Sequence, residues 1–442
     1  MVYSQSRQQM VQDFQNNDTS NLTIEKLKVA YILQHVNLDL TAQKAIQVHS
    51  QQVIAALQKV GHTVYLVSLQ GKQVWLCDDL DALRNKTPCQ TSSFRFAHKK
   101  FFQFLESFFH LKRQALKTPY LAILDSLRLF DGVSTSLTDF QVLHERYEPF
   151  HLGGVWAAKR LKIPFVLEVN GDMLKELEFQ GRPETGLRKI YAKWATSTMF
   201  QQAAKIIVVS KQLQNHLHTT WEVPFNKMVV LPNAADVEMF VPCSPNVALR
   251  KKIGLPDSST IITFVGGFFK WHAPDLMLHA FRKVVDREPQ AHLLLVGDGP
   301  LHNFVVQLID KLDLNKNVTL LGKVKHDLVP QLLSFTDVAV APFTEFPPGY
   351  GGSALKLFEY MAAGKAIVVT ATGQVVDVVK HEETALLARG GDSEQFAHEV
   401  LRLLKDEKLR HILGKNARDY VVQNHTWQQQ ALELTAVYSD LL

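Results

Sequence analysis

Residues Pro342 to Thr370 read PFTEFPPGYGGSALKLFEYMAAGKAIVVT, and this stretch decides the fold. A short apolar run, Val338 to Ala341, precedes it and predicts a buried strand; Ala366 to Val369 predicts the next one. Between them lie a loop rich in Gly and Pro and a compact helix. Ser353 is the expected N-cap, and Gly364 stands where a C-terminal glycine belongs. Leu355, Phe358 and Ala362 share one expected buried face at helical spacing.

The start of that helix carries the chemistry. Gly351, Gly352, Ser353, Ala354 and Leu355 would turn backbone N–H groups toward the positive end of the helix dipole, which makes an anion site. Lys356 falls in the first turn, where a cation is unfavourable unless an anion reverses the local balance. Glu359 follows on the same side, and a carboxylate there can accept from both hydroxyls of a ribose. Phosphate in front and a diol behind suggest a nucleoside diphosphate. The spacing alone fits an ordinary βαβ unit with solvated charges equally well.

SALKLFEYMAAGKAIVV closely resembles the last motif of the retaining group 1 glycosyltransferases, a family similar to glycosyltransferase family 4, in the subset with S-P-L-K-x-F-E-Y-M-A-A-G. The resemblance implies an α/β chain of GT-B fold: two Rossmann-like, doubly wound domains facing a central cleft, with a C-terminal helix crossing back to the first domain. It implies that Glu359 holds the donor ribose and that helix-start amides hold the diphosphate. Many members carry a second glutamate eight positions before this one; here that place is Gly351, and Glu345 is the nearest carboxylate in the same loop.

Further strings extend the resemblance from about residue 28 to the end. FQVLHERYEPFHLGGVWAAKRLKIPFVLEVNGD is similar to the E-R-Y…G-x-P-x-V-L-E-V-N segment of the same subset, with strands at Phe140–His144 and Phe165–Val169. It puts Arg146, Glu148 and Asn170 at strand ends, as candidates for contact with sugar or acceptor. Many relatives have histidine near Asn170; an amide positions a hydroxyl but is no general base. An internal Arg146–Glu148 salt bridge is the competing reading. MVVLPNAAD (228–236) resembles the linker motif V-x-P-N-G-V-D, and VGGFFKWHAPDLMLHAF (265–281) resembles V-G-S-F-x-x-W-H-G-x-D-L-L-L-x-A-F. Gly266 and Gly267 let backbone approach a ligand, Lys270 reaches its phosphates, and His272 either packs the loop or meets the sugar. HLLLVGDGP ends a strand at Gly297-Asp298-Gly299, where relatives cradle the base, so Gly299 joins the expected donor-binding set.

Composition sets the frame. The 442 residues suit two domains, and 46% hydrophobic with 21% charged residues describes an ordinary globular chain. A net charge of +5 accords with phosphorylated ligands or an anionic membrane surface and is too weak to argue for nucleic acid. The three cysteines, Cys77, Cys89 and Cys243, have no metal spacing and predict reduced thiols. No stretch approaches the ~20 apolar residues of a membrane span, and the N-terminus lacks a secretory pattern. The expected location is cytoplasmic, extending to the inner membrane face as a peripheral protein. The expected domains are a disordered polar tail (1–24), an acceptor domain (25–235) with a helical insertion at about 71–135, a nucleotide-sugar domain (236–426) and a returning helix (427–442). Within the insertion, Phe101, Phe104, Phe108 and Leu111 predict an apolar helix stripe; packing on its own domain is the plainer reading and a lipid-facing helix the sharper one. The loop Asn37–Thr41, after the first strand, should face the cleft.

These readings lead to a retaining, hexosyl-type glycosyltransferase using a UDP- or GDP-linked sugar, with no cofactor and no metal. Its expected acceptor is a saccharide, a lipid-linked molecule or a small molecule. Lys270, Lys356 and Asn170 are the expected catalytic residues. The alternatives are a GT-B nucleotide-sugar epimerase and a non-catalytic GT-B binding protein.

Overall fold

The computed structural model describes residues 25–34, 45–78, 90–93, 104, 107, 120–345 and 353–442. The tail 1–24, the loop Asn37–Thr41, Gly351, Gly352 and, apart from Phe104 and Ser107, the stretch Phe94–Lys117 lie outside the described residues. Two compact units emerge. One holds the chain up to Pro232 and again from Gln428 to Leu442; the described part of the other lies between Asn233 and Trp427.

The first unit is built on an eight-stranded sheet. Its strands are β1 (Lys28–Leu33), β2 (Thr63–Gln70), β3 (Gln73–Cys77), β4 (Gln90–Ser93), β5 (Val142–Arg146), β6 (Phe165–Val169), β7 (Lys205–Val208) and β8 (Met228–Val230), in spatial order β4-β3-β2-β1-β5-β6-β7-β8. All are parallel to their neighbours except β3 and β4, which pair antiparallel. Burial on both faces explains why β6, FVLEV, is buried along its whole length. Sequence order reverses between β1 and β5, the place where ligands collect outside the carboxyl ends of strands.

The expected helical insertion is corrected in part. Gln70 pairs with Gln73 across the two-residue turn Gly71-Lys72, so the chain hairpins back into the sheet instead of entering a helix. Further on, a helix spans Tyr120–Ser136. The cysteine reading changes with it. Pairing of Leu76 with Gln90 draws together the chain on either side of the connecting loop, and Cys77 is disulfide-bonded, while Cys243 is free and exposed.

The helix Trp427–Ser439 returns to this first unit from Gln428 onward. Tyr438 Oη lies 2.6 Å from His144 Nδ1, and Thr435 Oγ1 lies 2.7 Å from His62 Nε2; Tyr438, Thr435 and His144 are buried. Polar contacts this deep fix the register of the helix.

The second unit has six parallel strands: β9 (Thr260–Val265), β10 (Ala291–Val296), β11 (Val318–Gly322), β12 (Val338–Ala341), β13 (Ala366–Thr370) and β14 (Leu386–Ala388). Their order is β11-β10-β9-β12-β13-β14, so the reversal falls between β9 and β12. Among the described residues no helix is long and apolar enough to cross a membrane.

Candidate functional site

The second unit concentrates its polar chemistry at the β9/β12 reversal. The helix Leu355–Ala362 follows β12, and every residue from Lys356 to Ala362 is buried. It is wedged in place at several points. Tyr360 Oη accepts from the Val265 N–H at 2.7 Å, tying the helix to the end of β9. Arg418 donates to the carbonyls of Ala362 and Phe240 at the other end. Gly364 stands just beyond it with φ +63°.

The N-cap expectation is corrected. The helix begins after Ala354, which makes no side-chain cap. Ser353 is committed elsewhere: its Oγ accepts from the Asn233 N–H at 3.2 Å, and its carbonyl accepts from Asn233 Nδ2 at 2.7 Å. The asparagine of the P-N-A-A-D motif thus fixes the approach to the helix.

Lys356 is the unusual side chain. It is only 8% exposed, and its Nζ has no hydrogen-bond partner. The ammonium lies 4.0 Å from the centre of the Phe264 ring and 5.7 Å from that of Phe343. Burial pushes its pKa well below the ordinary lysine value, and the charge of Glu359 only partly opposes this. Gly266 makes room for it: its φ is +145°, and a Cβ there would lie 2.5 Å from Lys356 Nζ. Gly297, with φ +133°, lies so close that its Cβ would meet the Gly266 carbonyl at 2.1 Å, and a Cβ at Gly299 would meet the Phe268 nitrogen at 2.6 Å. The loops after β9 and β10 are therefore laced backbone to backbone, with Gly266 N–H donating to the Val296 carbonyl at 2.8 Å. Side-chain-free backbone beside a buried cation suits close approach of an anion.

Glu359, also 8% exposed, sits one turn beyond Lys356. Its Oε1 is 2.7 Å from Nε2 of His326, in the short turn His326–Leu328 after β11. Burial opposes protonation of this imidazole, but the hydrogen bond and charge of Glu359, with Asp236 and Asp327 adding to them, outweigh it and raise the pKa. His326 escapes sequence reasoning; the one signal was a histidine in K-H-D just past a strand at the carboxyl edge.

The remaining candidates of this unit are His272, Lys270 and Glu345. His272 Nδ1 lies 2.5 Å from the Gly267 carbonyl, so that nitrogen carries the proton. Burial, and then Lys356, hold His272 well below its ordinary pKa, against the pull of the carbonyl. It is a neutral ring packed near Phe264 and Phe343, each centre 5.8 Å away. Lys270 opens the turn Lys270–His272 with its side chain exposed. Glu345 is exposed and lies beside Gly390, whose Cβ would come within 2.9 Å of its Cγ.

In the first unit Glu168, near the end of β6, is the hub. Its carboxylate accepts from Tyr31 Oη at 2.8 Å, from Arg146 Nη1 at 2.9 Å and from the Asn170 amide. His49 Nδ1 lies 3.5 Å away and His144 Nε2 3.4 Å. Burial works against ionisation, yet these cations and donors hold the carboxyl well below the usual range. Arg146 and Asn170 therefore converge, but on Glu168; Arg146 forms its ion pair there and not with Glu148. Glu148 stands half-buried nearby, pushed up to about 7 by burial against the opposing Arg146. At the β1/β5 reversal, Gln34 donates to Glu145 Oε1 at 2.5 Å and lies 3.1 Å from His151 Nδ1.

Comparison with known proteins finds glycosyltransferases. The model for glycosyl transferases group 1 matches residues 247–420, and the model for Glycosyltransferase Family 4 matches residues 46–239. Both stretches are thus similar to glycosyltransferases. An uncharacterized glycosyltransferase of Methanocaldococcus jannaschii is 26% identical over 240 residues, which is 54% of this chain and 60% of that protein. N-acetyl-alpha-D-glucosaminyl L-malate synthase of Bacillus anthracis is 29% identical over 242 residues, 55% of this chain and 61% of the enzyme. The chain thus matches about three-fifths of the length of these relatives. A crystal structure of an Anabaena protein in complex with UDP and glucose superposes with a TM-score of 0.67 at 18% identity, covering 91% of this chain and 98% of that one. That likeness shows the fold, GT-B.

Proposed function

We propose that this chain is a group 1 glycosyltransferase that transfers a hexosyl-type sugar from a UDP- or GDP-linked donor to an acceptor, with retention at the anomeric carbon. The observation that carries the reading is Lys356: a cation buried at the strand reversal without a hydrogen-bond partner, beside the open backbone of Gly266 and Gly267. A diphosphate supplies the missing acceptor, and Glu359 one turn on takes the ribose hydroxyls. The solved Anabaena complex with UDP supports a uridine donor. Lys270, Lys356 and the backbone N–H groups from Gly352 to Leu355 neutralise charge on the departing phosphate, in a reaction that needs neither cofactor nor metal. Arg146, Glu148, Asn170, His272 and Glu345 remain the candidates for sugar and acceptor contact. The acceptor is a saccharide, a lipid-linked molecule or a small molecule, and the setting is the cytoplasm, with association to the inner membrane face.

Calorimetry with UDP, GDP and their 2′-deoxy forms tests the site. The ribonucleotide of the correct base should bind, its deoxy form roughly tenfold more weakly, and Glu359→Gln should erase that difference while the fold persists. Equal affinity for both forms would remove the ribose role. Product analysis with the matching nucleotide sugar then separates transfer from epimerisation, and absence of any donor turnover would leave a binding protein.

A further inference from the structure

The helix Gly186–Gln202 of the first unit turns an apolar stripe outward. Its inner face, with Ala192, Ala195, Thr196, Met199 and Phe200, is buried in the core. Leu187, Ile190 and Trp194 recur at helical spacing on the opposite side and are 68%, 65% and 53% exposed. Burying such side chains is worth far more than leaving them in water, so three on one face call for an occupant.

The charges say which. Lys189 and Lys193 are exposed along the flank of the stripe, and Arg182 is exposed in the turn before it. The helix contains no Asp or Glu. Its first turns carry Arg188 and Lys189, where the dipole already favours anions, so dipole and side chains attract the same sign. The nearest carboxylate, Glu184, is taken by Arg188 at 2.6 Å, and that guanidinium also lies over the Phe150 ring at 4.6 Å. Trp194 is braced by Tyr191, ring centres 5.5 Å apart, and Tyr191 is stacked on Phe150 at 6.3 Å.

We propose that this face, Leu187, Ile190 and Trp194 edged by Lys189 and Lys193, docks on an anionic lipid bilayer. A braced indole among aliphatic side chains suits the boundary between head groups and acyl chains, and the lysines reach lipid phosphates without leaving water. A second copy of the chain is a poor occupant: three side chains fall far short of the ~800 Å² per partner of a stable interface, and a two-fold contact would set like charges together. The inference stands independently of the sugar-transfer reading.

Co-sedimentation of the full chain with vesicles tests it. Vesicles containing phosphatidylglycerol should retain the protein at low salt at least tenfold better than pure phosphatidylcholine, with release as salt rises. Ile190→Ser with Trp194→Ser should lower that partition at least tenfold, and Lys189→Gln with Lys193→Gln by a similar factor. All four positions are exposed, so unchanged circular dichroism and melting are expected. Rescue by Trp194→Phe in place of serine would mark an interfacial role. Failure of the wild-type chain to bind anionic vesicles, equal binding to neutral ones, or full binding by the variants would overturn the proposal. So would concentration-dependent dimers abolished by the same changes.

Discussion

Nε2 of His326 lies 2.7 Å from Oε1 of Glu359, so the carboxylate assigned to the ribose is already held by an imidazole 33 residues earlier in the chain. The contact fixes the plane of the carboxylate. It also gives the pair a sign with respect to pH. Because the folded-state pKa of His326 is raised, the stability it contributes is fully present below the ordinary imidazole value near 6.5, and it is lost as pH rises through the raised value.

A histidine NMR titration checks this. In the wild-type chain His326 should titrate above about 6.5. In Glu359→Gln it should fall, since burial, which opposes the charge, is left with only Asp236 and Asp327 against it. The same titration in both proteins would mean that the pair is a contact without electrostatic consequence.

Lys356 should show the opposite balance between stability and function. A depressed lysine pKa subtracts from stability below the ordinary value near 10.4, so Lys356→Met should stabilise the free protein by about 1–3 kcal/mol, read from its melting transition. The same change should lower turnover 10- to 100-fold. Diphosphate binding should raise the lysine pKa back toward its ordinary value. Lower stability with unchanged turnover would make Lys356 a core residue only.

Glu145 offers a test in the first unit. It is fully buried; burial pushes its carboxyl up to about 8, the hydrogen bond from Gln34 pulls it down and Glu148 adds to the rise. Its Oε2 has no hydrogen-bond partner and occupies the space where a Cβ at Gly154 would stand, 1.7 Å away. A carboxyl raised in the folded state takes stability away as pH climbs from its ordinary value toward the raised one. Glu145→Gln should therefore stabilise by roughly 2–4 kcal/mol at pH 8 and leave stability nearly unchanged at pH 4. Melting curves at the two pH values decide it, and equal effects at both would exclude a buried, protonated carboxyl.

The features legible in the amino-acid order are local and periodic. Apolar runs at Val338–Ala341 and Ala366–Val369 mark strands, and the spacing between them puts Lys356 and Glu359 one turn apart on a helix. Helical and strand periods act within a few residues, which is why these elements are legible. Partners were not. Ser353 reads as a cap, yet Asn233, 120 residues away, takes its oxygen atoms. Arg146 stands two residues from Glu148 and pairs with Glu168, because parallel β5 and β6 set Arg146 opposite Glu168. His326 reaches Glu359 only after strand order has placed the ends of β11 and β12 on the same edge of the sheet. Side-chain partners at the carboxyl edge depend on which strands lie side by side, and crossover connections hide that order from any reading of spacing along the chain.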